Sequence, residues 1–150
     1  MSDMLHTSKP SSFSPKFEIV SLFLEYNGKI LLLHRHAHKS QGGKWGVPAG
    51  KVERGETLEA ALKREVLEET GYIFQEAPAH FKSVFVEHPE HSFIYHMYAL
   101  RLPKAIEVKI EPYEHQAYRW GTPASAIKMN LVDDLDECIR MHYGIAGERR

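Results

Sequence analysis

A helix that gathers three carboxylates on one face, set at a fixed distance behind a glycine, constrains this chain more than any other feature. Thr57 can cap a helix start, Leu58, Leu62 and Val66 recur at four-residue spacing, and Gly71 stands where a helix C-cap glycine belongs. At 100° per residue, Glu65, Glu68 and Glu69 then share roughly a 100° arc of that helix. Like charges so placed cost only about 0.2–0.5 kcal/mol per pair in water, so a solvated acidic face would account for the three glutamates taken alone.

The wider spacing changes the weighing. Gly50, five residues, Glu56, seven residues, Arg64-Glu65-Val66, one residue, Glu68-Glu69, one residue and Gly71-Tyr72 form one continuous pattern. At background residue frequencies, chance supplies such a match on the order of 10⁻⁶ times per chain of this length. The pattern resembles the Nudix box, departing from it at Tyr72, where the family usually carries an aliphatic residue; Ile73 follows, and the difference touches packing at the helix exit. The lead-in Trp45-Gly46-Val47-Pro48-Ala49-Gly50 is similar to the family's Pro-Gly-Gly approach, and Glu114-His115 followed by Arg119-Trp120 resembles a segment of its later sheet. The resemblance spans about residues 17 to 145, and the box is its specific part.

That resemblance implies an α+β Nudix fold, a mixed β-sheet flanked by helices in an α/β/α sandwich. It implies a Mg²⁺-dependent hydrolase, with Mn²⁺ as a substitute, that cuts a diphosphate linkage. Glu65, Glu68 and Glu69 match the metal-binding glutamates, and Gly50 matches the glycine whose carbonyl joins them. Glu56 and Arg64 match the residues that orient the site. Glu114 is the candidate for a further metal ligand or for the base, a role left open between Glu65 and Glu114. Arg35 and Trp45 are candidate substrate-binding residues. Members of this size often convert a nucleoside triphosphate to a monophosphate and pyrophosphate. A diphosphosugar such as ADP-ribose is the alternative substrate, Pro89 lying close to but not at the position where some sugar-specific members carry a proline. A nucleotide-binding module without catalysis is the competing class, and an acidic interaction surface a third. A homodimer is a family-level expectation.

The residues make chemical sense without the name. A diphosphate repels an incoming water, hard divalent cations neutralise that charge, and clustered carboxylates collect such cations. Arg64 can pair with those carboxylates and hold them in place.

Composition narrows the partners. With 19 Lys+Arg against 20 Asp+Glu, the chain lacks the basic field that binds nucleic acid polymers, leaving a small molecule as the expected ligand. The single cysteine, Cys138, excludes an intrachain disulfide or multi-cysteine zinc site and fits the cytoplasm; the expected place for it is a packed helix face. No segment reaches the length of a membrane span. Residues 1–15, rich in Ser, Thr and Pro, are expected to be a flexible tail, and 16–150 one domain.

Along the chain, Phe17 to Tyr26 and Lys29 to Arg35 read as a hairpin turned by Asn27-Gly28. Residues 36–44 and 50–55 read as loops. His80 to Glu87 pairs with Phe93 to Leu102, Ile106 to Ile110 and Gln116 to Trp120 are shorter strand candidates, Pro123 suits a short helix, and Val132 to Tyr143 a closing one. His34, His36 and His38 alternate, and could ligate zinc, face a phosphate beside Arg35, or face water. The strand aromatics read as core, with one of Phe85, Phe93 or Tyr95 a candidate for the pocket.

Overall fold

The computed structural model describes residues 4–146, so residues 1–3 of the expected tail and 147–150 of the expected domain lie outside the described residues. In chain order the elements are β1 (Met4–His6), β2 (Pro15–Tyr26), β3 (Lys29–Arg35), β4 (Trp45–Gly46), β5 (Ala49–Lys51), α1 (Leu58–Thr70), β6 (Ala79–Glu87), β7 (Ser92–Arg101), β8 (His115–Gly121), α2 (Pro123–Ala126) and α3 (Leu135–Tyr143).

The sheet runs β1-β6-β7-β2-β3-β4, with β5 against β2 and β8 against β3. All pairings are antiparallel except β2 with β7, which is parallel and makes the sheet mixed. Asn27 and Gly28 take φ of 52° and 75°, the left-handed values that a two-residue hairpin turn demands. The hairpin pairs only at Glu25–Ile30 and Tyr26–Lys29 before the strands part. β2 then gives that edge to β5, through Val20 opposite Gly50, while β3 turns to β8.

Alternation along the strands divides the core in two. Val20, Leu22 and Leu24, with Leu31 and Leu33, meet Ala61, Leu62 and Val66 of α1 on one face. Phe23, Ile30, Leu32 and Met97 meet Ala126, Leu135, Cys138 and Ile139 of α2 and α3 on the other. Each fully buried aliphatic side chain contributes about 1.5–3 kcal/mol, so both helical layers are held mainly by this packing. The result is the α/β/α sandwich of the α+β class, and Cys138 is packed at 2% exposure.

Four local expectations change. Ile106 to Ile110 forms no strand: Ile106, Val108 and Ile110 pack against the α1-side core, and Lys109 N–H donates to Thr70 O at the helix end (2.8 Å). Alternation there reports burial without a partner strand. The loop expected from Gly50 instead begins inside β5. α3 starts at Leu135, behind Asp134 at φ 66°. Within the segment expected to be a tail, Met4–His6 pairs with β6, and Phe13 is buried against Phe85, because both carry apolar surface to the sheet edge. Among the described residues no helix is long and apolar enough to cross a membrane.

Candidate active site

The rotation of α1 sets the site. Thr57 Oγ1 accepts Ala60 N–H at 3.1 Å, Gly71 closes the helix at φ 76°, and the buried Ala61, Leu62 and Val66 fix which side faces the sheet. Glu65 and Glu69, one turn apart, consequently face β5. Glu69 is 5% exposed, and its Oε1 accepts Ala49 N–H at 2.9 Å. The Glu65 carboxyl lies directly over Gly50, in the space a Cβ there would fill, so any larger residue would displace that carboxyl.

Arg64 braces this arrangement. Its Nε and Nη2 donate to the two oxygens of Glu56, each at 2.8 Å, Nη1 donates to Glu65 at 2.6 Å, and Nη2 also reaches Lys51 O at 3.0 Å. The guanidinium fork, aided by Glu53 N–H, holds Glu56 down at about 2. One cation thus ties the approach loop to a carboxylate of the helix. A lysine keeps the charge but loses the planar fork. Arg64→Lys is expected to lower turnover by roughly 10–100-fold with a parallel loss of metal affinity measured by titration calorimetry. Wild-type values for both would reduce the fork to a structural brace.

The remaining donors come from the turn entering β8. Glu111 Oε2 accepts the N–H groups of Tyr113 and Glu114 at 2.8 and 3.2 Å, and Glu111 O accepts His115 N–H at 2.9 Å, shaping the turn. Ligand atoms of Glu69, Glu114 and His115 lie within 4.8 Å of one another. Burial is the leading influence on the protonation of Glu69 and His115. Burial drives Glu69 well above the usual carboxylate range, Ala49 N–H opposes it, and Glu65 and Glu114 add repulsion. Burial also raises Glu65 against the pull of Arg64. His115, 3% exposed, is pushed down to about 4 by burial first and then by Arg35, and its Nδ1 is buried without a hydrogen-bond partner. One buried and two half-buried carboxylates beside a neutral imidazole are a donor set suited to a divalent cation.

The structure therefore brings Gly50, Glu65, Glu69 and Glu114 together, with Glu56 and Arg64 behind them. Glu68 stands at the outer edge, its side chain 56% exposed and 3.6 Å from Arg64. His115 is the residue missed in the sequence, where the Glu114-His115 pair gave a role to the glutamate alone. An open cavity of about 250 Å³ runs from Glu69, Gly50 and His115 across Ile19, Tyr95 and Phe93. Arg35 lines it, donating from Nε to Ser40 O at 2.8 Å. Trp45 does not: its indole stacks on His34 at 4.4 Å, packed against the α3-side core, and its neighbours Gly46 and Val47 reach the cavity instead. Phe93 and Tyr95 take the aromatic role at the cavity, whereas Phe85 packs on Phe13. The three histidines do not converge. His34 meets Gly43 O at 3.0 Å, while His36 and His38 face each other.

Comparison with known proteins gives the family. The NUDIX domain profile matches residues 16–140. The CTP pyrophosphohydrolase of Escherichia coli (strain K12) is 33% identical over 118 residues, 77% of this chain and 82% of the relative. The human 8-oxo-dGDP phosphatase NUDT18 is 32% identical over 82 residues, 49% of this chain but only 25% of that protein. Among solved structures, the MutT protein from Methanosarcina mazei Go1 superposes with a TM-score of 0.73 at 28% identity, over 89% of this chain and 99% of the other. The chain belongs to the Nudix family, and its class is that of the pyrophosphohydrolases.

Proposed function

We propose that this protein hydrolyses a nucleoside triphosphate to the monophosphate and pyrophosphate, using Mg²⁺ with Mn²⁺ as a substitute. The observation that carries the reading is the convergence of Glu69, Glu114 and His115 at one end of a cavity floored by apolar and aromatic side chains. Such a floor suits the flat ring of a nucleobase better than the hydroxyls of a second sugar, which would ask for paired polar groups. The similarity to a CTP pyrophosphohydrolase over most of both chains supports the same choice.

Glu65, Glu69, Glu114 and the Gly50 carbonyl would hold the cation, with Glu68 at the outer edge toward solvent. When bound, the cation supplies charge neutralisation for the diphosphate and acidifies water. Arg64 and Glu56 keep Glu65 aimed at the site, and Arg35 pairs with a substrate phosphate. Glu65 Oε1 is engaged by Arg64 at 2.6 Å, and we assign Glu114 the role of taking the proton from the attacking water. Positioning and electrostatics then supply most of the rate, since phosphoryl transfer asks little covalent chemistry of the protein.

The test is product release from nucleoside triphosphates, nucleoside diphosphates and diphosphosugars, with Mg²⁺ and after chelation. Metal-dependent pyrophosphate release from triphosphates is expected, with Glu114→Gln slower by roughly 10²–10⁴-fold. Turnover confined to diphosphosugars would replace the substrate class, and nucleotide binding without turnover would replace the enzyme with a binding module.

A further inference from the structure

The family profile begins at residue 16, yet the cavity wall includes Leu5. The strand register explains how. Leu5 of β1 lies opposite Val86 of β6, Val86 opposite Phe93 of β7, and Phe93 opposite Phe17 of β2. These four partners form one row across the sheet on the α3 side, and three of them, Leu5, Val86 and Phe93, line the cavity. The neighbouring row, Val84, Tyr95 and Ile19, lines it as well. Three strand spacings separate β1 from β2, about 14 Å, so Leu5 stands at the end of the floor farthest from β2 and its partner β5, which carries Gly50.

The segment is held there by more than three ladder residues. His6 Nε2 meets Glu87 Oε1 at 2.6 Å, on the strand position after Leu5. The Phe13 ring, 8% exposed, sits edge-on to Phe85 at 5.5 Å, behind a turn in which Phe13 N–H donates to Pro10 O at 3.2 Å. Residues after Leu5 are therefore pinned to β6 by side chains as well as by the ladder, and Leu5 itself packs against the α3-side core. A short edge strand with no part in a site would not need its single inward side chain in a ligand cavity.

We infer that β1 is a specificity element: Leu5 is the far wall against which the ring of the group linked to the diphosphate, a nucleobase lying on the Phe93 row, comes to rest. This rests on the pyrophosphohydrolase reading and deepens it. A wall at that place discriminates by size, since it meets the substrate away from the reacting phosphates. It alters the apparent affinity for a purine relative to a pyrimidine and leaves the chemical step alone.

The full chain is compared with Leu5→Trp, Leu5→Ala and the outward control Met4→Ala, whose native side chain is 61% exposed. Steady-state rates with Mg²⁺ are measured on ATP, GTP, CTP and UTP, and thermal unfolding confirms that each variant folds. Leu5→Trp is expected to lower purine relative to pyrimidine kcat/KM by roughly tenfold, through KM, with kcat within about threefold. Leu5→Ala should move the ratio the other way, and Met4→Ala should leave it where it was. A purine-to-pyrimidine ratio unchanged in folded Leu5→Trp and Leu5→Ala overturns the inference. Absence of wild-type turnover on all four triphosphates would count against the triphosphate reading instead. The wall is then judged by calorimetric titration with α,β-methylene-ATP and α,β-methylene-CTP, where a changed affinity ratio in the Leu5 variants supports it and an unchanged one overturns it.

Discussion

Replacing Glu69 with glutamine is expected to cut turnover by at least ~10³-fold, about 4 kcal/mol of transition-state stabilisation, while raising the melting temperature of the metal-free protein by a few degrees. The two effects have one cause. Glu69 is buried beside Glu65 and Glu114, and its hydrogen bond from Ala49 N–H, at 2.9 Å, is one that a glutamine oxygen can still accept. The amide keeps shape and acceptor but carries no charge, so it relieves the burial cost and cannot serve as an anionic ligand. Stopped product-release assays and melting curves in EDTA read both quantities from one preparation. Retained turnover, or a lower melting temperature, would remove Glu69 from the centre of the site.

The pH dependence gives that prediction a sign. Because burial lifts Glu69 above its unfolded value of 4.5, the native state keeps a proton that the unfolded chain has already released. Its contribution is therefore fully present below 4.5 and is lost as pH rises through the native value. His115 acts oppositely: native at about 4 against 6.5 unfolded, it costs stability as pH falls from 6.5 toward 4. His115 is common to wild type and Glu69→Gln, so the difference between their metal-free stability curves isolates the carboxylate, and that difference should grow with pH. Mg²⁺ binding to the wild type should release protons, and less so in the mutant.

Much of this was legible in the sequence because its determinants are local. The Asn27-Gly28 turn, the Thr57 and Gly71 caps and the four-residue apolar spacing of α1 act within a few residues of themselves, and each stands as read. The site's inner carboxylates followed from the same helix. What the sequence could not supply was contact between distant segments. β1 exists because Leu5 meets Val86, 81 residues away, and nothing in a Ser- and Pro-rich stretch announces that partner. Ile106 to Ile110 alternates like a strand yet packs beside a helix end, since alternation records burial and says nothing of a neighbouring strand. Trp45, adjacent to the box, turns to His34 instead of the cavity, a choice set by the pairing of β3 with β4. His115 enters the site through the Glu111 turn, whose geometry depends on a single carboxylate accepting two N–H groups.

Gly50→Ala tests the close approach between loop and helix. A Cβ at Gly50 would overlap the Glu65 carboxyl group, and neither neighbour gives easily. Gly50 is registered opposite Val20 in the sheet, while Glu65 is tied to Arg64, which is itself forked onto Glu56. If Glu65 swings away, the ion pair and a metal ligand are lost together; if β5 lifts from β2, Ala49 N–H leaves Glu69. Either route damages the donor set, so a turnover loss of roughly 10²–10³-fold is expected, with ~1–3 kcal/mol of stability lost to overpacking. The double variant Gly50→Ala with Glu65→Ala separates the two consequences. Removing the Glu65 side chain vacates the space the new methyl needs, so stability should recover relative to Gly50→Ala, with a coupling of at least ~1 kcal/mol in denaturant melts, while turnover stays low. Additive stability effects would mean that the two residues do not meet as described, and recovery of turnover in the double variant would show that Glu65 contributes little to the site.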